Sequence, residues 1–444
     1  MNKLTQKLKD TFQLSEITEF GQTLFHHGIG STAISFVNKL ITLVIGIILV
    51  RTLGKSGFGV YSYIFSIIQV LLVPVELGVT NLLVRETAKN ITKKSVDLVI
   101  GLLKWAIKLV IISSVIIIVL SFLFSRSQIF NFSIDELIAF YWGLSIIPSY
   151  ALLHVFSAFL RGQKFIVFGQ IPDLILIPGI FLSVLILYPL FQNNLTYTSS
   201  MELRSIATLI ASAISIVFLW VKTPKSILKS KSGISSGYWL RSTFPMAVTN
   251  GLNLIKNRAS ILIMGLFVMP DEIGVYQVAI SSAALAIVFL EIINTVVAPQ
   301  FASLYSQKAI SKLQRLVKIS SKLAFIFTLL ISLVFIVFGK NLLTYVFGSD
   351  LIDAYPALLV LLVGQIISSY FGSVGFLLNM TGHEKYVMRA NEISTSINIL
   401  LALLLTPTFG SIGTAIATTI TLIISNIILN RMVFKELKIK SQAF

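Results

Sequence analysis

The stretch GVYSYIFSIIQVLLVPVE, residues 59–76, decides the fold. It is predominantly apolar with one charged residue, its closing glutamate, and it has an echo in GVYQVAISSAALAIVFLE, residues 274–291. Both open on Gly-Val-Tyr, and Glu76 and Glu291 each fall fifteen residues after their tyrosine. About 20 apolar residues cross a hydrocarbon core as a helix. Runs of that length recur near 31–50, 59–84, 98–124, 137–160, 167–190, 203–221, 243–268, 274–299, 319–338, 354–379, 387–407 and 411–433. The Gly-Val-Tyr run is second in each set of six, so the chain reads as two copies of one six-segment unit, an arrangement common in carriers.

Composition agrees. A chain of 444 residues that is 55% hydrophobic and 12% charged, with mean hydropathy +0.90, carries more apolar surface than a soluble domain can bury. The expected fold is an all-α integral membrane protein of about 12 transmembrane helices in two pseudo-symmetric six-helix bundles. Residues 1–221 form the first bundle and 243–444 the second. The cytoplasmic linker KTPKSILKSKSGISSGYWLRS, 222–242, joins them, lying along the membrane surface or disordered. Met1–Gly30 lacks the short apolar core of a cleaved signal peptide.

The net charge of +17 is an orientation signal. Of 35 Lys and Arg, 25 sit in the two tails and every second connector. The alternate connectors hold only Arg51, Lys55, Arg126, Arg204 and Lys340, beside most of the loop acids. Both termini are therefore expected in the cytoplasm, with the chain multi-pass in the plasma membrane and its basic loops on anionic membrane lipids rather than nucleic acid. The absence of cysteine excludes disulfides and thiolate chemistry. No GxxxxGK[ST] loop and no connector large enough for a nucleotide-binding domain argue against direct ATP drive. The chain reads as a transporter without cofactor, not an enzyme. The outer acid pairs are better explained as solvated loop charge than as catalytic carboxylates.

Ionisable groups at bilayer depth are costly and need a reason. Ser35, Lys39, Thr42 and Gly46 share one helical stripe, and in the repeat partner Thr249, Asn253, Lys256 and Ser260 do the same. The cations either pair with glutamates on the following helix or line a cavity that holds an anion. The second reading makes Lys39, Asn253, Lys256 and Arg258 candidate substrate-binding residues. Arg258 lies some 200° around the helix from Lys256 at about 100° per residue, so the two are not expected to face one point. Glu76, Asp173 and Glu291 are candidate ion-coupling sites for H+ or Na+, or counter-ions to the cations. Pro172 and Pro178 flank Asp173 and predict a kink with freed carbonyls. His154 reads as a satisfied core residue. The polar stripes of the tenth and twelfth spans, Gln365 to Asn379 and Ser411 to Ser425, read mainly as packing surfaces.

The segments LGKSGFGVYSYIFSIIQVLLVPVELGVTNLLVRETAK (53–89), FLRGQKFIVFGQIPDLILIPG (159–179) and LLNMTGHEKYVMRANEISTSINILLALLL (377–405) resemble the polysaccharide-biosynthesis flippases. That family belongs to the superfamily that includes the MATE drug exporters and lipid II flippases. The resemblance implies two bundles around a cavity open alternately to each side. The cargo would be a polyprenyl-(pyro)phosphate-linked oligosaccharide, moved from the cytoplasmic to the outer leaflet for surface glycan assembly. It also implies that Lys39, Lys256 and Arg258 bind the pyrophosphate or acidic sugars, and that a polymerase and glycosyltransferases act beside the flippase. Lipid II flippases carry two further spans, for which this chain has no room. The alternative is a cation-coupled MATE-like multidrug exporter, which wants carboxylates and aromatic faces in its cavity.

Overall fold

The computed structural model describes residues 19–125, 132–190, 194–228, 230, 232–233 and 236–444; the side chains of 19–32 and of 245, 249, 253 and 295 lie outside the description. Among the described residues the secondary structure is helical throughout. The chain runs α1 (Glu19–Glu76), α2 (Val79–Thr92), α3 (Val96–Ser125), α4 (Ile134–Gly162) and α5 (Ile166–Ile171). A π-turn over Pro172–Leu176 leads into α6 (Ile177–Leu187), α7 (Tyr197–Lys222) and the short α8 (Lys225–Leu228). The second half holds α9 (Ser236–Phe267), α10 (Pro270–Ala286), α11 (Val288–Ser306), α12 (Ile310–Phe347), α13 (Ala354–Phe371), α14 (Val374–Met380) and α15 (Glu384–Leu437).

Nine of the described helices are long and apolar enough to cross a membrane. Two of these are double. α1 folds back at Gly54 (φ 68, ψ 179) and α15 at Gly410 (φ 55, ψ −131), conformations that a Cβ disfavours. With each double helix counted twice and α9 added, twelve helical segments among the described residues have the length of a crossing.

The repeated tripeptide has a repeated job. A Cβ on Gly59 would fall 1.8 Å from the Pro270 carbonyl oxygen, and one on Gly274 would fall 2.1 Å from that of Lys55. α1 and α10 therefore cross backbone against backbone, and only glycine fits. Each tyrosine reaches the last helix of its own half. Tyr61 accepts from Arg204 of α7 at 3.1 Å, and the Tyr276 hydroxyl lies 2.9 Å from that of Thr418 on α15. The seam continues at the Gly54 bend of α1, where Lys55 pairs with Asp353 (3.2 Å) and Asp271 (3.9 Å). There Arg51 also donates to the carbonyls of Val346 and Tyr345.

Three elements differ from the sequence expectation. The second span ends at Glu76 rather than near residue 84, because Leu77 (φ 46) and Gly78 (φ 72) turn the chain before α2. A Cβ on Gly78 would meet the Ala247 backbone at 2.6 Å, so the break lets α9 pack closely here. The tenth span breaks at Gly372 (φ 69), whose absent Cβ leaves room for Ser321. The seventh span starts early: α9 begins at Ser236, inside the expected linker, and Trp239, 2% exposed, packs on Trp105 at 5.5 Å. Nearby, buried Glu86 accepts from Arg85, Lys89 and Tyr238 at 3.1, 3.1 and 3.2 Å, which holds the Lys89 ammonium above its ordinary range.

The prolines act as expected. Pro172 cannot donate to the helical ladder, and the chain widens into a π-turn that carries Asp173. The Leu174 carbonyl, whose helical partner four residues on would be Pro178 with no N–H, accepts from Asn38 of α1 at 2.6 Å.

Candidate functional site

Three cavities run through the protein and share walls. The first, about 430 Å³, lies between the halves and is lined by Gln69, Glu76, Tyr150 and His154 on one side and Asn250, Asn257 and Arg258 on the other. The second, about 550 Å³, lies within the C-terminal half, where Lys256, Arg258, Gln277, Gln365, Asn398 and Thr418 are among its walls. Asn257 and Arg258 face both. The third, about 350 Å³, joins the second at Ser281 and Ala284 and holds Lys39, Thr42, Gly46 and Glu291. Lys256 and Arg258 thus share a cavity despite their angular separation, because long side chains on α9 wrap around the helix to the same space.

The expected site residues fall into three groups. Lys39 is paired, but across the seam: its ammonium meets Glu291 of α11, and both side chains are about half exposed. Its neighbour on the following helix, Glu76, is taken by another partner. Pairing within each half, one of the two readings of the stripes, is therefore not what the fold uses.

Glu76 belongs instead to a compact N-terminal cluster. His154 Nδ1 lies 2.6 Å from Glu76 Oε1, and its Nε2 lies 3.7 Å from Asp173 Oδ2. Tyr150 donates to the other Asp173 oxygen at 2.7 Å, and its ring meets the imidazole edge-on at 4.5 Å between centroids. α1 and the π-turn supply one acid each, and α4 supplies both Tyr150 and His154. The reading of His154 as a core residue missed this, since Glu76 and Asp173 are distant in sequence and only the packing of three helices brings them to one ring. The i, i+4 spacing of Tyr150 and His154 was the available signal.

The C-terminal wall has no such neutralisation. Lys256 donates to a neutral amide, Asn391 Oδ1, at 2.7 Å. Arg258 makes no ion pair with the described residues, and Arg204 of α7 lies close enough to repel it electrostatically. Arg204 stacks on Phe65 at 3.9 Å, a placement deep in the bundle rather than in the connector to which sequence position assigned it. The side chain of Asn253 lies outside the described residues. Around the cations the wall mixes apolar side chains such as Ile261, Ile280 and Leu422 with hydroxyl and carboxamide groups: Ser260 contacts Asn398 and Thr418 at 3.4 Å, and Thr421, Ser425 and Gln365 also line it. The stripes of the tenth and twelfth spans are therefore partly cavity wall and not only packing surface.

Such an arrangement can hold an amphipathic anion. Lys256 and Arg258 share the cavity of the C-terminal half, Arg258 also faces the cavity between the halves, and hydroxyl and carboxamide groups lie near them; among the described residues no grouping of three or more His, Asp or Glu fit to hold a metal occurs.

The comparisons with known proteins agree with this architecture. The family model described as "Polysaccharide biosynthesis protein" matches residues 27–305, and one described as "MatE" matches 245–404. The curated "Probable low-salt glycan biosynthesis flippase Agl15" of Haloferax volcanii is 23% identical over 168 residues, covering 38% of this chain and only 36% of that protein. Among solved structures, the inward-facing conformation of a multidrug resistance MATE family transporter aligns at TM-score 0.72 and 16% identity, covering 93% of this chain and 99% of that one. The "Lipid II flippase MurJ, inward closed conformation" aligns at 0.72 and 16%, covering 90% and 87%. At these identities the likeness concerns the fold.

Proposed function

From its membership of the polysaccharide biosynthesis protein family, to which this multi-pass membrane chain belongs, we propose that it is a flippase for polyprenyl-(pyro)phosphate-linked oligosaccharides. One observation carries the reading: Arg258, without a counter-ion among the described residues, lines both central cavities with Lys256 beside it. A pyrophosphate brings about two negative charges, and fixed cations offset much of the cost of taking them out of water. The hydroxyl and carboxamide wall around Ser260, Gln365 and Asn398 suits the sugar. Lys39 enters this scheme as a seam residue, available to an anion only when its pair with Glu291 parts. Alternating access then requires the seam at Gly59 and Gly274 to open as the halves rock. We place both termini in the cytoplasm of the cell that carries the chain, from the loop charges.

The test is a deletion strain whose polyprenyl-linked glycans are extracted and assigned to a leaflet by mass spectrometry. The expected result is a complete repeat unit held on the cytoplasmic leaflet and loss of surface polymer. An unchanged lipid-glycan pool with new drug sensitivity would move the function to export of organic cations. That second reading draws on the carboxylates of Glu76 and Asp173, but both already face His154.

A further inference from the structure

A concave surface outside the three cavities adjoins the C-terminal wall. Between the N-terminal parts of α9 and α15 lies a groove of about 650 Å³, lined by Phe244, Val248 and Leu252 on one side and Val387, Met388 and Asn391 on the other. It opens beside Glu384 and Lys385 at the start of α15, on the face that we place in the cytoplasm. Phe244, Val248, Leu252 and Lys256 stand four residues apart along α9, a run of about 18 Å at 1.5 Å per residue. The three apolar members are 70%, 49% and 38% exposed in that order, so the groove deepens towards the lysine.

At the deep end Lys256 donates to Asn391 at 2.7 Å. Asn391 lines the groove and Lys256 lines the cavity of the C-terminal half, so this hydrogen bond joins the walls of the two spaces. Thr395 and Ser394, consecutive on α15, repeat the arrangement, the first on the groove and the second on the cavity. The bond is one that an anion can take over. A phosphate oxygen carries a charge that the Asn391 amide lacks, and hydrogen bonds between two ionised groups are the stronger kind.

The groove itself does not suit an anionic headgroup. Among its charged residues Glu384 and Glu392 outnumber Lys385, and the excess negative charge repels a diphosphate. What fits is an uncharged hydrocarbon chain attached to an anion that Lys256 holds. A polyprenyl diphosphate has this form, with one chain leaving its phosphate, whereas a glycerophospholipid brings two.

We infer that the groove between α9 and α15 seats the first isoprene units of the lipid carrier while the diphosphate lies at Lys256. Parting of the Lys256–Asn391 bond opens the way between them. This rests on the flippase reading and adds to it the place where the chain leaves the cavity. The passage lies within the C-terminal half rather than at the seam, where Lys39, Leu43, Val278 and Leu285 line the third cavity. Bilayer hydrocarbon is as apolar as the groove, so burial there adds little affinity. The groove instead fixes where the chain lies, and with it the direction in which the attached sugar points.

Two measurements on the full chain in lipid nanodiscs test this. The first uses undecaprenyl diphosphate with a diazirine on the isoprene unit next to the diphosphate, and maps its adducts by mass spectrometry after illumination. Adducts are expected within 244–252 and 387–395, and an excess of unlabelled undecaprenyl diphosphate should remove them. Competed adducts on Leu43, Val278 and Leu285 instead, or groove adducts that the excess does not displace, overturn the proposal. The second compares Val248→Trp with the intact chain. The indole fills the groove, and overpacking of the usual size weakens undecaprenyl diphosphate binding by about 5- to 150-fold. Inorganic diphosphate, which has no chain, should bind both proteins alike, which also shows that the variant is folded. Equal affinity of the two proteins for undecaprenyl diphosphate overturns the groove, as does an equal loss for both ligands. If the intact chain binds neither diphosphate, it is the flippase reading that fails, and the groove falls with it.

Discussion

The two halves place the same scaffold around different chemistry. In the N-terminal half the two intramembrane acids are answered locally, with Glu76 and Asp173 on either side of His154 and Tyr150 bonded to the second acid. In the C-terminal half the cations stand beside neutral groups, Lys256 on Asn391 and Arg258 against the shared cavity. The difference teaches that a duplicated fold keeps what its geometry demands and frees the rest. Gly59 and Gly274 occupy equivalent tight crossings and are the same residue, whereas Glu76 and Glu291 occupy equivalent sequence positions and have unrelated partners.

The contrast breaks most sharply at the C-terminal cations. Lys256→Gln with Arg258→Gln removes two charge-assisted contacts of about 1.5–3 kcal/mol each, so diphosphate affinity should fall about 150-fold or more. Surface glycan is expected to disappear at unchanged protein level in the membrane. Glycan export at the intact level by that double variant would show that the C-terminal wall does not hold the headgroup.

The equivalence of the two glycines is tested by Gly59→Val and Gly274→Val. Overpacking costs about 1–3 kcal/mol, which disfavours the closed seam by about 5- to 150-fold. Because the chain has no cysteine, Ser281→Cys provides a single reporter in the cavity wall. Its labelling by an impermeant maleimide from the side of Lys55 and Asp353 should rise in both variants, and a rise in only one would break the pseudo-symmetry.

Glu76→Gln removes one acid from the answered cluster. With the side chains of Glu76 and His154 17% and 24% exposed, the loss should be about 1–2 kcal/mol, read as a lower thermal midpoint in detergent. The smallest effect belongs to the seam pair. Lys39→Gln and Glu291→Gln in a double-mutant cycle should show a coupling of about 0–1 kcal/mol in the same assay, since both side chains are near half exposure. A coupling larger than that of Glu76 with His154 would reverse the ranking of the two regions.

By itself the sequence determined the membrane class, the two sets of six crossings, the Gly-Val-Tyr correspondence and the distortion at Pro172. These follow from hydropathy, residue period and the missing proline N–H, all local properties. It also named most of the chemistry-bearing residues, because an ionisable side chain in an apolar run is conspicuous wherever it points. Only the tertiary structure decided the pairing. Lys39 reaches Glu291 across 252 positions and His154 reaches Glu76 across 78, contacts set by how helices from distant segments cross. The breaks at Gly78 and Gly372 were likewise decided by what packs against them, Ala247 and Ser321, which no run of apolar residues records. Charge is written in the chain, but its partner is chosen by packing, since a helix fixes only the neighbours three and four residues away.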